Sequence, residues 1–352
     1  MDGLPGSSPL ASVTAFAPGR VNLIGDHTDY TGGLAVPMAI NLGTEVVFHP
    51  DPTATAIELS SSLEPEPARI ALAIADKALD LGAQPDWGRY VGAVVTVLRP
   101  RLGGSGTITT TLPVGCGLSS SASLEVAVAL ALGYDGDAIS LAKASQEAEH
   151  IASGVRTGIL DQLAITLGQP GHALLVDCAT LEARPVPIPE GVEILIAHSG
   201  VARSIVGSAY AERRSECETA ERLIGPLRSA TPFEVDRLVD PVLRRRARHV
   251  VSENARARQF GAALEMNDPR AAGRLMNDSH ASLASDYEAS TPELDELALR
   301  LRSIEGVLGA RMTGAGFGGC VVALAQKGAV RLPLRGVDAW RVLPSGAAYR
   351  RA

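Results

Sequence analysis

The spacing of apolar residues changes period several times along the chain, and each change predicts an element. Val13–Phe16, Thr44–His49 and Ala56–Leu59 are short β-branched or aromatic runs bounded by Gly, Pro and Asp, and they read as strands. The alanine-rich stretch Pro67–Leu81 reads as a helix. Tyr90, Val94 and Leu98 recur at helical spacing until Pro100 ends a second one. Thr107–Leu112 alternates as a strand, and Ser119–Leu132 reads as a loop feeding a buried helix. Further helices are expected over Ile139–Ile151 and Gly158–Leu167, then strands over Ala173–Asp177 and Glu193–His198. From Ile205 onward the pattern is mostly helical, with apolar periodicity at Phe260–Leu264, Ala271–Met276 and Leu294–Leu301. Two late strands, Ala310–Met312 and Cys320–Ala325, enclose a glycine-rich turn, and Trp340–Leu343 supplies a last one. A boundary near Gly168–Gly171 divides the chain into residues 1–169 and 170–352. The arrangement predicted is two α+β domains facing one another across a cleft.

Composition narrows this picture only slightly. The 352 residues are 46% hydrophobic, and 32 Lys plus Arg stand against 39 Asp plus Glu, a formal charge of −7. That balance gives no reason to expect a nucleic-acid partner, though a phosphate can still be held by backbone N–H groups and a cation. Cys116, Cys178, Cys217 and Cys320 are dispersed without metal-ligand spacing, which fits a reducing compartment. The first ten residues lack a signal-peptide pattern, and no apolar run is long enough to cross a bilayer. A soluble cytoplasmic protein without a membrane partner is expected, as a monomer, with a dimer as the alternative.

Three glycine-rich loops carry the candidate chemistry. In LPVGCGLSSSAS (112–123), Gly115 and Gly117 permit close backbone approach where a strand passes into a helix. Free N–H groups at that helix start can bind phosphate oxygens, and the serine hydroxyls can add hydrogen bonds or a metal ligand. The terminal Lys-Ser/Thr of a Walker loop is missing, and an ordinary turn with a serine cap fits the same residues. In GRVNLIGDHTDY (19–30), Asp26, His27 and Asp29 can meet the hydroxyls of a small polar molecule, and Arg20 can orient a phosphate or a carboxylate. A capped surface turn is the plainer alternative. Glu149 and Asp161 flank the middle helices: the first is a candidate magnesium ligand, the second a candidate base. The third loop, MTGAGFGG (312–319), suits either close ligand approach or a structural hairpin.

Taken together and in this order, the loops resemble those of the galactokinase branch of the GHMP small-molecule kinases. The likeness extends through AEHIASGVRTGILDQ (148–162), SAYAERRSEC (208–217) and SHASLASDYEASTPELDEL (279–297), and covers nearly the whole chain. It implies a two-domain fold, the amino-terminal domain like ribosomal protein S5 domain 2 and the carboxy-terminal one ferredoxin-like. The activity implied is transfer of the ATP γ-phosphoryl group to the C1 hydroxyl of α-D-galactose, with Mg2+ neutralising the phosphates. Asp161 carries over as the catalytic carboxylate and Arg20 as its charge-stabilising partner. Ser121 and Glu149 carry over as magnesium ligands. Gly115, Gly117, Leu118, Ser119, Ser120 and Ser121 form the phosphate loop, and Trp87 matches an adenine-pocket aromatic. Asp26, His27, Asp29, Gly158 and Tyr210 match sugar contacts.

The chain departs from the family pattern in places. Asp26 stands where glutamate is usual, Arg156 where proline is usual, and Cys116 where a small residue is common. The alternatives are therefore a GHMP kinase for N-acetylgalactosamine, galacturonate or L-arabinose, or a galactose- and ATP-binding regulator without activity. The arginines at 244–246 and 248, with Arg256 and Arg258, read as a solvated helix face, and His280 as a structural residue.

Overall fold

The computed structural model describes residues 10–72, 84–113, 115–201 and 209–351. The first half is a six-stranded sheet covered by helices. Its strands are β1 (Val13–Asn22), β3 (Pro37–Asp51), β4 (Ala56–Ser61), β5 (Ala68–Ala71) and β6 (Gly103–Thr110), joined by β13 (Tyr349–Arg351) from the end of the described chain. The order is β13-β1-β3-β6-β4-β5, antiparallel except for the β4–β6 pair. Four helices, α1 (Asp86–Leu98), α2 (Ser120–Ala131), α3 (Ala138–Ser153) and α4 (Leu160–Leu167), pack over it. Buried Phe48, Ile57, Val94, Val126 and Ile165 are among the residues of the core between them.

A small sheet, β2-β7-β8 (Leu34–Ala35, His172–Asp177, Glu182–Pro187), follows. The second half is a four-stranded antiparallel sheet in the order β10-β11-β9-β12, formed by Val307–Thr313, Cys320–Gln326, Val192–His198 and Ala339–Val342. Its helices are α5 (Ala209–Ile224), α6 (Pro232–Asp236), α7 (Pro241–Glu265), α8 (Pro269–Ser285) and α9 (Pro292–Arg302). The last three open alike, with Asp240, Asp268 or Thr291 capping the first turn and proline as the first helical residue. A central core joins the halves, combining Val21 of β1, Leu23 just after it, Leu118, Phe260 of α7 and Cys320 of β11.

Most predicted elements are present with longer bounds, but two expectations are corrected. The helix expected at Pro67–Leu81 begins instead as the edge strand β5. Ala68 and Ile70 face inward while Arg69 and Ala71 are exposed, a period of two that pairs with β4. Residues 73–83 of that prediction lie outside the described residues, as do 202–208 at the start of the helical region. The arginine stripe on α7 is not wholly a solvated face either. Arg246 is 2% exposed and pairs with Glu216 at 2.7 Å and Glu288 at 2.5 Å, while Arg256 pairs with buried Glu253 at 2.6 Å. His280 is structural as expected: its Nδ1 accepts from the Met312 N–H, and its Nε2 lies 3.2 Å from Asp295.

Candidate active site

The site begins with a fault in β1. Pro18 and Gly19 interrupt the β1–β3 register, and a bulge of this kind re-aims the next side chain. Gly19 is required there, because a Cβ would lie 2.4 Å from Leu112 and 2.7 Å from the Leu118 carbonyl. The glycine-rich loop thus lies directly on the strand, and the Arg20 N–H donates to Leu118 O at 3.2 Å. The Arg20 guanidinium is 4% exposed. It donates from Nε to Asp161 Oδ1 at 2.7 Å and from Nη1 to Gly117 O at 2.7 Å, with Nη2 also 2.6 Å from Asp161 Oδ1. The Ser119 hydroxyl donates to Asp161 Oδ2 at 2.5 Å. Residues from β1 and the loop therefore fix both oxygens of one carboxylate on the first turn of α4.

Ser119 sits at the start of α2 with φ +59° and makes no side-chain cap, since its hydroxyl is turned to Asp161. The first N–H groups of α2 are left for another acceptor, as an anion site needs. Ser121 Oγ donates to Glu149 Oε1 at 2.9 Å, and Gln162 Nε2 donates to Glu149 Oε2 at 2.6 Å. Among the described residues no group of three or more His, Cys, Asp or Glu could hold a metal ion by itself. One hydroxyl and one carboxylate do fit Mg2+, which commonly binds few protein ligands and completes its shell with phosphate oxygens and water.

Opposite lies the 25–30 loop. Asp29 rests against Gly158 so closely that a Cβ on that glycine would fall 1.6 Å from Asp29 Oδ2. Burial and the neighbouring Asp161 charge push the Asp29 carboxyl up to about 6. His27, at φ +63°, donates from Nε2 to Ala315 O at 3.0 Å, which leaves Nδ1 to accept from the Tyr30 hydroxyl at 2.9 Å. Tyr30 bonds in turn to Tyr287, and the rings of His27, Tyr30, Tyr210 and Tyr287 pack as one cluster.

Asp26 is committed to protein partners. Its Oδ1 accepts from Asn22 Nδ2 at 2.9 Å and Gly314 N at 3.1 Å, and its Oδ2 lies 2.6 Å from Arg311. Burial raises its carboxyl, and Arg311 opposes that shift. Behind it, Glu253 accepts from Gly25 N and Ser279 Oγ. Burial would raise Glu253, but Arg256, His249 and Arg311 hold it down at about 2.

Arg20, Asp26, His27, Asp29, Gly115, Gly117, Ser119, Ser120, Ser121, Glu149, Gly158, Asp161 and Tyr210 all line one cavity of about 170 Å3, together with Thr157, Leu160, Gly314 and Ala315. Two residues singled out in the sequence do not. Leu118 is buried in the central core and meets the site through its backbone. Trp87 packs against the amino-terminal core, with its indole N–H 3.3 Å from Glu66 O. Sequence reasoning missed Asn22, Gln162, Tyr30, Glu253, Tyr287 and Arg311. Of these, Asn22 and Tyr30 stood in the first loop, Gln162 at the end of the 148–162 stretch and Tyr287 within the 279–297 stretch, while Glu253 and Arg311 carried no signal.

Comparison with known proteins gives the family. The galactokinase galactose-binding signature matches residues 6–50, the GHMP kinase N-terminal domain 89–169 and the GHMP kinase C-terminal domain 260–333. Human galactokinase is 42% identical over 348 residues, spanning 95% of this chain and 88% of its own length. The galactokinase of Lactococcus lactis, solved with galactose, superposes with a TM-score of 0.88 at 32% identity, covering 97% of this chain and 96% of its own. Mevalonate kinase of L. major shares the fold, with a TM-score of 0.68 at 20% identity over 97% of this chain and 100% of its own.

Proposed function

The chain belongs to the galactokinase branch of the GHMP kinases, and from that premise we propose that Asp161 and Arg20 are the residues with which it transfers the ATP γ-phosphoryl group to the C1 hydroxyl of α-D-galactose. The products are galactose 1-phosphate and ADP. The observation that carries the assignment is the fixed carboxylate: Asp161 is held through Oδ1 by Arg20 and through Oδ2 by Ser119, in the same cavity as Asp29 and the start of α2.

A sugar hydroxyl that reaches Asp161 meets an acceptor that cannot rotate away, so the attacking oxygen is oriented before reaction. Asp161 accepts the hydroxyl proton as the new O–P bond forms. Arg20 carries positive charge beside that carboxylate and anchors the loop through Gly117 O. Asp29 is assigned two sugar hydroxyls, as a carboxylate can accept both. His27, Tyr210 and Gly158 complete that wall, with Asp26 behind it. The backbone at Gly115, Gly117 and the start of α2 is assigned the phosphates, and Ser121 with Glu149 would hold Mg2+. Magnesium, when bound, neutralises phosphate charge and polarises the transferred group.

We further place the division between the domains at 169/170 and the enzyme in the cytoplasm as a monomer. All four cysteines are buried thiols, which supports a reducing compartment. No helix among the described residues is long and apolar enough to cross a membrane. The test is turnover of an aldose panel with ATP and Mg2+. Galactose is expected to give the highest kcat/KM. Strong turnover of N-acetylgalactosamine, galacturonate or L-arabinose with little of galactose would overturn the acceptor, and binding of galactose and ATP without ADP formation would overturn the enzyme.

A further inference from the structure

Three neighbouring residues of α7, His249, Glu253 and Asn254, are buried, and each reaches the backbone of the 25–34 loop. His249 Nε2 donates to Asp26 O at 3.1 Å, the Gly25 N–H donates to Glu253 Oε1 at 2.9 Å, and the Leu34 N–H donates to Asn254 Oδ1 at 2.7 Å. Gly33 lets Asn254 come so near, since a Cβ there would lie 2.4 Å from Asn254 Oδ1. From behind, α8 fixes two of the three: Ser279 Oγ donates to Glu253 Oε1 at 2.5 Å and Ser282 Oγ to His249 Nδ1 at 2.9 Å. Each residue type follows from its partners. A carbonyl only accepts, so His249 carries its proton on Nε2 and accepts at Nδ1, and burial keeps the ring neutral by holding it down at about 4. Gly25, Ser279 and Arg256 all donate to Glu253, which leaves no place for an amide N–H. Asn254 keeps Oδ1 on the Leu34 N–H although its buried Nδ2 has no partner among the described residues.

The loop so held has little regular structure of its own. Between Gly25 and Gly33 the one regular element is the short turn Asp29–Thr31, and His27 stands at φ +63°, a conformation that costs a non-glycine residue. Both feet of the loop, Gly25–Asp26 and Leu34, rest on α7, and Asp29 lines the cavity from the stretch between them. None of the three α7 residues lines that cavity. We propose that His249, Glu253 and Asn254 are positioning residues for sugar binding: they pin the backbone on either side of Asp29 and so set where its carboxylate meets the acceptor. They act through the loop and touch no reacting atom. Because they grip backbone groups, the hold does not depend on which side chains the loop carries.

The inference rests on the reading that Asp29 holds sugar hydroxyls. The experiment compares wild type, H249F, H249Q, N254A and D29N by KM for galactose and for ATP, and by amide hydrogen exchange of the whole protein followed at the level of peptides. Phenylalanine keeps a ring and loses both hydrogen bonds of His249, whereas glutamine can place an amide N–H where the Nε2–H stood. H249F and N254A should raise the galactose KM about tenfold and leave the ATP KM within about twofold of wild type. H249Q should stay within about threefold of wild type for galactose. Exchange over residues 23–35 should quicken about tenfold in H249F and N254A, with residues 112–123 unchanged. The role falls if both KM values rise equally, if H249Q is impaired as much as H249F, or if exchange over 23–35 does not change. An unchanged galactose KM in D29N overturns the sugar reading and the role in binding with it, while exchange separately decides whether α7 holds the loop. Should H249F fail to fold, N254A carries both measurements.

Discussion

The two walls of the cleft are built on opposite terms. The wall we assign to phosphate is a loop and a helix start: a Cβ at Gly115 would meet nothing within 4 Å, and the first turn of α2 keeps its N–H groups uncapped by Ser119. The wall we assign to the sugar is stitched shut. Asp26, His27 and Thr28 are buried, and Thr28 Oγ1 lies 2.9 Å from Gly25 O and 2.8 Å from Leu34 O. Asp26 and its neighbours bond to α7, β10 and the turn after β10. A charged phosphate can be gripped by donors that are hydrated until it arrives. Sugar isomers differ only in where their hydroxyls point, and telling them apart requires groups that do not move.

Removing the carboxylate between the walls should have the largest effect. D161N keeps the size of the side chain but loses its negative charge and most of its basicity. Single-turnover transfer from ATP to galactose should fall about a thousandfold, with ATP affinity, measured separately, unchanged. Transfer at the wild-type rate, under conditions where chemistry limits the signal, would remove Asp161 from the mechanism.

Next in size is a cut through the seam behind the sugar wall. R311M leaves Asp26 without its cation in a buried site, which should cost about 3 kcal/mol or more of stability in urea denaturation. The KM for galactose should rise in the folded variant while that for ATP stays close to wild type. An equal rise for both substrates would show that the two walls are not built independently.

The smallest effect concerns Asp29, whose carboxyl is raised to about 6. Protonation removes the acceptor that we assign to two sugar hydroxyls, so galactose affinity should decline as pH falls through about 6, and D29N should lack that decline. Stability runs the other way. With its folded value above the ordinary carboxylate value, the group binds more protons folded than unfolded between about pH 4 and 6, and unliganded stability falls as pH rises through that window. D29N should therefore be more stable than wild type above pH 6, with the gap closing near pH 4. A Tm difference that does not change with pH would contradict this.

Much of the phosphate wall was legible in the sequence because its requirements are local. Gly115, Gly117 and Ser119 all take positive φ, and a run of glycines and serines before an apolar helix announces such a turn. The pairing of Arg20 with Asp161, across 141 residues, has no local signature and became visible only through family resemblance. The seam was invisible for the same reason. Arg311 lies in a strand otherwise read by its apolar residues, and Arg246 is buried within a run of arginines that composition assigns to solvent. β5 was misread because alanine content outweighed the two-residue alternation of Ala68, Arg69, Ile70 and Ala71.

The ties on Asp26 also bear on how such an enzyme could change in descent. Asn22, Gly314 and Arg311 hold its carboxylate from three stretches of chain. Lengthening it to glutamate, or exchanging it for a neutral residue, disturbs all three at once, so a lineage altering this position would pass through weakened intermediates unless a partner changed first. The Asp26–Arg311 pair is in that sense inherited as a block, and drift at Asp26 should be accompanied by drift at Arg311.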